Sequence, residues 1–267
     1  MTEPSDDGLA IPSDYVANLF DIAGRVAVIT GGGSGLGRAI AVGYAQAGAV
    51  VVAADVNEEG AAETVRLIGE QGHAATADRL DVTSRLEAEA LADAVVARHG
   101  RVDILVNSAG SAFRSPVEEF PEDKLDFILD LNLKGTYLCS QAFGRKMLAQ
   151  GKGSIINLAS IGSFVAYPWA SAYLASKGGV LGITRAMALE WRDRGVRVNG
   201  IGPTLMDSPL TREAAQRTSI TADFIKARML RPRLGLPREL IGAAIFLASD
   251  ASAYMTGYEV RPNAPAT

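Results

Sequence analysis

The 267-residue chain, with 48% hydrophobic and 21% charged side chains, has the length of one α/β domain or two small ones and enough apolar content for a sizeable core. A net charge of −4 provides no basic surplus for a nucleic acid or an anionic membrane, and no apolar run reaches transmembrane length. The lone Cys139 rules out an internal disulfide, and with only His73 and His99 beside it there is no metal-ligand cluster, so no metal is expected.

Residues 1–20 are rich in Pro, Ser and Asp and carry acids where a signal peptide has a basic segment. They read as a mobile leader, whose last part docks on a single domain spanning 21–267 in a cytoplasmic protein. The run from Arg25 to Thr30 is a short buried strand. It opens into Gly31-Gly32-Gly33-Ser34-Gly35-Leu36-Gly37, then a helical stretch, then a second strand from Val50 that ends on Asp55. Glycines in that turn let the backbone bend sharply and approach a ligand, with the N–H groups of the next helix facing an anion. A pyrophosphate suits such a turn, and an acid roughly 20 residues on can accept hydrogen bonds from an adenosine ribose.

Glu58 to Glu70 predicts a helix, His73 to Leu80 a third strand, Ser84 to His99 a helix stopped by Gly100, and Val102 to Val106 a fourth strand ending at Asn107-Ser108-Ala109-Gly110. A long helical region over Asp123 to Gln150 follows, then strands at Ser154 to Leu158 and Val196 to Ile201, and a seventh over Gly257 to Arg261. Strands alternating with helices of this length predict a parallel sheet covered on both faces, with ligands at the carboxyl ends of the strands. Between the last strands, Ser171 to Arg194 reads as one helix with Tyr173 and Lys177 at i and i+4, which places phenol and ammonium on one face.

With those residues in view, the chain resembles the short-chain dehydrogenase/reductase family. The matching motifs are Thr30-Gly31-x-x-x-Gly35-x-Gly37, Asp81-Val82, Asn107-Ser108-Ala109-Gly110, Asn132 in Leu131-Asn132-Leu133-Lys134-Gly135, Ser160 after Asn157-Leu158-Ala159, Tyr173-x-x-x-Lys177, and Val198-Asn199-Gly200-Ile201-Gly202-Pro203. The resemblance implies a Rossmann-type, doubly wound α/β domain with a seven-stranded parallel sheet, and a catalytic set of Asn132, Ser160, Tyr173 and Lys177. It implies cofactor contacts from Gly31, Ser34, Gly35, Leu36, Gly37, Asp55, Asp81, Val82, Asn107, Ala109, Gly110, Tyr173, Lys177, Pro203, Thr204, Met206 and Ser208. In those roles Tyr173 takes the alcohol proton, Lys177 lowers the phenol pKa and holds the nicotinamide ribose, Ser160 binds the substrate oxygen and Asn132 holds a water. A tyrosine with a pKa of about 10 needs such a nearby charge to act as a base at neutral pH.

Asp55, with uncharged Val56 and Asn57 after it and Ser34 in the turn, offers a 2′-phosphate a carboxylate and no cation, so NAD is the expected cofactor. The sequence departs from the family at Pro203-Thr204, where Pro-Gly is usual, and at Pro262-Asn263-Ala264-Pro265, where Val-Asp-Gly-Gly is usual; prolines there stop the last strand by Arg261. Ser111, Phe113, Arg114, Ile161, Gly162, Phe164, Tyr167, Trp169 and a lid over Leu205 to Leu230 are the expected substrate pocket. The Asn-Ser-Ala-Gly turn and Gln141 to Arg145 are similar to polyol- and sugar-oxidising members. A reductase of 3-oxoacyl thioesters or hydrophobic carbonyls and a non-catalytic dinucleotide sensor stay open beside that reading. Apolar excess on the two long helical stretches points to a homo-oligomer, by the resemblance a tetramer.

Overall fold

A computed structural model describes residues 11–217 and 229–263. Half of the expected leader, the lid residues 218–228, and Ala264 and Pro265 of the unusual tail lie outside the described residues.

Seven parallel strands form one sheet in the order β3-β2-β1-β4-β5-β6-β7: β1 (Val26–Thr30), β2 (Val50–Asp55), β3 (Ala75–Arg79), β4 (Ile104–Asn107), β5 (Gly153–Leu158), β6 (Val196–Ile201) and β7 (Glu259–Val260). Side chains alternate between two apolar layers. Val26 and Val28 of β1 face one layer with Leu105 of β4 and Ile155 of β5, while Ala27 and Ile29 face the other with Ile104, Val106 and Ile156. Helices α4 (Arg85–His99), α6 (Gly135–Gln150) and α7 (Ser171–Trp191) cover the first layer through Leu91, Phe143, Met147 and Trp191. Helices α2 (Gly35–Gln46), α3 (Glu58–Gly69) and α9 (Ile241–Ala248) cover the second through Ile40, Tyr44, Ile68 and Leu247. A four-residue turn of helix, α1 (Tyr15–Asn18), precedes the sheet, and α5 (Glu122–Leu129) and α8 (Pro209–Arg217) flank its carboxyl edge. Cys139 is buried inside the first layer, where desolvation pushes its thiol up to about 12, as befits an inert packed side chain.

Helix ends follow local chemistry. Asn57 and Ser84 accept hydrogen bonds from Gly60 N and Glu87 N at the starts of α3 and α4, and Gly100 and Gly151 close α4 and α6 with φ of 78° and 72°. The strands β3 and β7 are each shorter than predicted. His73 N still bonds to Ile68 O at the end of α3, so β3 starts only at Ala75, and Gly257 has φ 77°, which keeps it out of β7. The predicted helical region over Asp123 to Gln150 is continuous, with α5 and α6 joined by a π turn, Asp130–Lys134, centred on Asn132.

Strand order reverses between β1 and β4, whose last residues Thr30 and Asn107 are in register. Loops leaving these two strands on opposite sides of the sheet open a crevice at their carboxyl ends.

Candidate active site

The glycine turn is built by close approach. Gly31 has φ 65°, and a Cβ on it would lie 2.7 Å from the Ala109 backbone; a Cβ on Gly37 would lie 2.2 Å from Gly31 O. Only glycine therefore lets the β1 and β4 loops touch and α2 start so near the strand end. Ser34, the residue before α2, makes no side-chain cap, so the first N–H groups of the helix have no acceptor from it. Gly33 N donates to Asp55 Oδ2 at 2.9 Å and Asn57 N to Oδ1 at 2.9 Å, which fixes the carboxylate at the rim.

A cavity of about 310 Å³ runs from Asp55 and Val56, past Gly31, Ser34, Gly35 and Leu36, to Ser160, Tyr173 and Lys177. Ala109, Gly110, Pro203, Thr204, Met206 and Ser208 also line it, with Ser111, Leu158 and Thr211. A glycine cradle that no Cβ could occupy, an uncapped helix N-terminus and an acid at the far rim together fit a dinucleotide. Gly37, Asp81, Val82 and Asn107 do not line it. Gly37 lies under the turn, Asp81 Oδ1 is held by Thr83 N and Oγ1 at 2.9 and 2.7 Å, and Val82 packs under Gly135. Asn107 is 3% exposed, and its amide donates to Ser140 Oγ and Asn157 Oδ1 inside the sheet.

Ser160 follows β5 and is buried; its Oγ accepts from Gly162 N at 3.0 Å and faces the phenols of Tyr167 and Tyr173. Lys177 Nζ lies 5.9 Å from the centre of the Tyr173 ring and donates to Leu158 O at 2.6 Å. Desolvation pushes this ammonium down to about 8. Burial also raises the Tyr173 phenol above its ordinary value, opposed by the Ser160 hydroxyl and by the Arg114 guanidinium. The depression expected from Lys177 is thus not what this geometry produces, because burial outweighs the charges around the ring.

Asn132 is fully buried. Its Oδ1 accepts from Ser111 N at 2.8 Å and its Nδ2 donates to Ser111 O and Ser176 Oγ at 2.9 and 3.0 Å. The amide thereby clamps the loop after β4 to α7. A Cβ on Gly110 would lie 3.1 Å from Asn132 Oδ1 and 3.6 Å from Lys177 Nζ, so glycine is what lets these groups meet.

Of the expected substrate-pocket residues, Ser111 and, from the expected lid, Met206 and Ser208 to Thr211 line the cavity. Tyr167 and Arg114 sit beside the Ser160 end, the guanidinium 5.1 Å over the Tyr167 ring and its Nε buried without a partner. Phe164 and Trp169 are half-exposed. Arg38 has a role that motif matching does not reveal: one turn into α2, it donates to Thr64 Oγ1 at 3.0 Å and to the carbonyls of Gly33 and Gly60, pinning the turn from below. It is a cation behind the glycine turn that no motif marks, and it is committed to those acceptors.

Comparison with known proteins agrees with this construction. The family model described as Enoyl-(Acyl carrier protein) reductase, adh_short_C2, matches residues 31–263. The D-threitol dehydrogenase of Mycolicibacterium smegmatis is 43% identical over 90% of this chain and 92% of its own length. The 2-dehydro-3-deoxy-D-gluconate 5-dehydrogenase of Dickeya dadantii is 38% identical over 92% of this chain and 96% of its own. Among solved structures, a gluconate 5-dehydrogenase from Burkholderia cenocepacia in complex with NADP and tartrate superposes with a TM-score of 0.88 at 38% identity, over 92% of this chain and 96% of that one. The chain belongs to the short-chain dehydrogenase/reductase family, oxidoreductases that bind a nicotinamide dinucleotide and act on CH–OH groups.

Proposed function

We propose that this protein interconverts a secondary hydroxyl and a ketone on a polyol or sugar-type substrate, with NAD(H) as its cofactor. The observation that carries this reading is the continuity of one cavity from Asp55 to the cluster of Ser160, Tyr173 and Lys177. The bound nicotinamide accepts or returns the hydride. Tyr173 takes the hydroxyl proton, Ser160 holds the substrate oxygen, and Lys177 holds the nicotinamide ribose through charge-assisted hydrogen bonds. Asn132 acts by positioning Ser111 and α7. The names of the relatives support a polyhydroxylated substrate, and the Arg114 guanidinium over the Tyr167 ring puts a cation near Ser160 that suits the carboxylate of a sugar acid. A panel of tetritols, glycerol and aldonic acids with NAD⁺ and NADP⁺, followed by reduced-nicotinamide absorbance, tests both points. Turnover confined to 3-oxoacyl thioesters would overturn the substrate class.

The cofactor choice rests on Asp55, whose carboxylate at the rim repels a 2′-phosphate. NAD⁺ is expected to have the higher kcat/KM, and Asp55→Ala should narrow the ratio by about tenfold or more, since removing one desolvated like charge is worth about 1.4 kcal/mol or more. Equal use of NADP⁺ by the unmodified enzyme would refute the preference.

The protein also reads as a cytoplasmic homo-oligomer, a tetramer. No helix among the described residues is long and apolar enough to cross a membrane. Leu125 and Phe127 on α5, Tyr137 on α6 and Leu189 on α7 are exposed, as faces covered by a second subunit would be. Sedimentation at micromolar concentration should give a species larger than the 28.0 kDa chain, and a monomer would sink the assignment.

A further inference from the structure

Glu259, the first residue of β7, is 4% exposed, and neither carboxylate oxygen has a hydrogen-bond partner among the described residues. Burying an acid without a donor is costly, so its position calls for a cause. Space for it is made on β6: a Cβ on Gly202 would lie 1.9 Å from Glu259 Oε1, and one on Gly200 would lie 3.4 Å from its Cγ. The side chain therefore lies over two glycines and reaches the end of β6, one residue before Pro203 joins the cavity wall. In the neighbouring strand, Leu158 is in register with Ile201, and the Leu158 carbonyl is the acceptor that holds Lys177 Nζ.

Three cations act on this carboxylate: Arg261 on the chain just past β7, and Arg185 and Lys177 on α7. Arg261 acts most strongly and Arg185 next, but both are exposed, Arg261 stacking 4.4 Å over the Phe164 ring, and neither lines the cavity. Lys177 is 6% exposed and is the buried member of the three. No direct ion pair joins the two, so the interaction acts through the low-dielectric interior. Burial pushes Glu259 up to about 7 and Lys177 down to about 8, and each charge opposes the other's shift.

We propose that Glu259 is a positioning residue for the reaction: its buried carboxylate is the counter-charge that keeps Lys177 an ammonium, so the lysine's hold on the nicotinamide ribose depends on an acid behind the end of β6. This rests on the reading of Lys177 as the ribose contact, and it assigns a function to a side chain that the alcohol chemistry alone leaves idle.

The test is NADH binding, read by nicotinamide fluorescence, for the unmodified protein and Glu259→Gln across pH. At about pH 5.5 both carry a neutral side chain at 259 and should bind alike. At about pH 8.5 the unmodified protein keeps its carboxylate while the variant has lost it, and the variant should bind roughly three- to tenfold more weakly. A second measurement needs no cofactor. An acid whose pKa is raised on folding destabilises the fold as pH climbs from its unfolded value of about 4.3 to its folded value, so the melting temperature of the unmodified protein should fall relative to Glu259→Gln between about pH 4.5 and 7 and stay offset above. A binding ratio that is the same at both pH values, or a Glu259→Gln protein that fails to fold, would overturn the proposal, since either outcome makes the side chain structural. No NADH binding by the unmodified protein at any pH would instead overturn the site reading, and this inference with it.

Discussion

Tyr173→Phe is expected to lower alcohol oxidation by about 10²–10⁴-fold while NAD⁺ binding is kept. The substitution removes one oxygen and leaves the ring in place on α7. The glycine turn and Asp55 lie at the other end of the cavity and are untouched. Because burial holds the phenol above its ordinary value, only a small fraction is phenolate at neutral pH. Oxidation by the unmodified enzyme should therefore quicken as pH rises toward that raised pKa, and ketone reduction, which needs the protonated phenol, should not. Stopped-flow turnover against pH, together with NAD⁺ titration of the variant, checks both parts. Parallel loss of turnover and binding would make Tyr173 a structural residue, and retained turnover would place the chemistry elsewhere.

Lys177→Ala should fail differently. Its Nζ is tied to Leu158 O and lies 5.9 Å from the Tyr173 ring, so the change removes a cation from the phenol's surroundings and a donor from the cavity wall at once. Turnover should drop about 10²-fold or more, and cofactor affinity should fall by roughly tenfold, the worth of one charge-assisted hydrogen bond. A variant with unchanged cofactor affinity would disprove the ribose contact. Since Lys177 is itself pushed down to about 8, the unmodified enzyme should also lose cofactor affinity above that pH, as the ammonium is lost.

The order of elements and the residues at the strand ends were legible because each depends on short-range rules. β-branched runs made the strands, glycines at 31, 35 and 37 could serve only a tight turn, and Tyr173 and Lys177 share a helix face by spacing alone. Those rules are also enough to put Ser160 and Pro203 on the cavity wall, since each lies two residues past a strand that ends there. They also led to error in places. A run of good helix formers hid the π turn at Asn132, whose side chain is spent on Ser111 and Ser176. The same rules could not foresee Gly257 adopting positive φ and shortening β7.

What the chain by itself determined is therefore the doubly wound sheet, the family and the chemistry at the carboxyl edge, because periodicity, glycine placement and helix spacing act within a few residues. Only the tertiary structure decided the electrostatics. Arg38 reaches Gly60 across 22 positions, Lys177 finds a carbonyl on β5, and Glu259 is buried over Gly202 from a strand at the far edge of the sheet. Burial, which sets the protonation of Tyr173, Lys177 and Glu259, exists only once distant segments have packed, and no local pattern of residues encodes it.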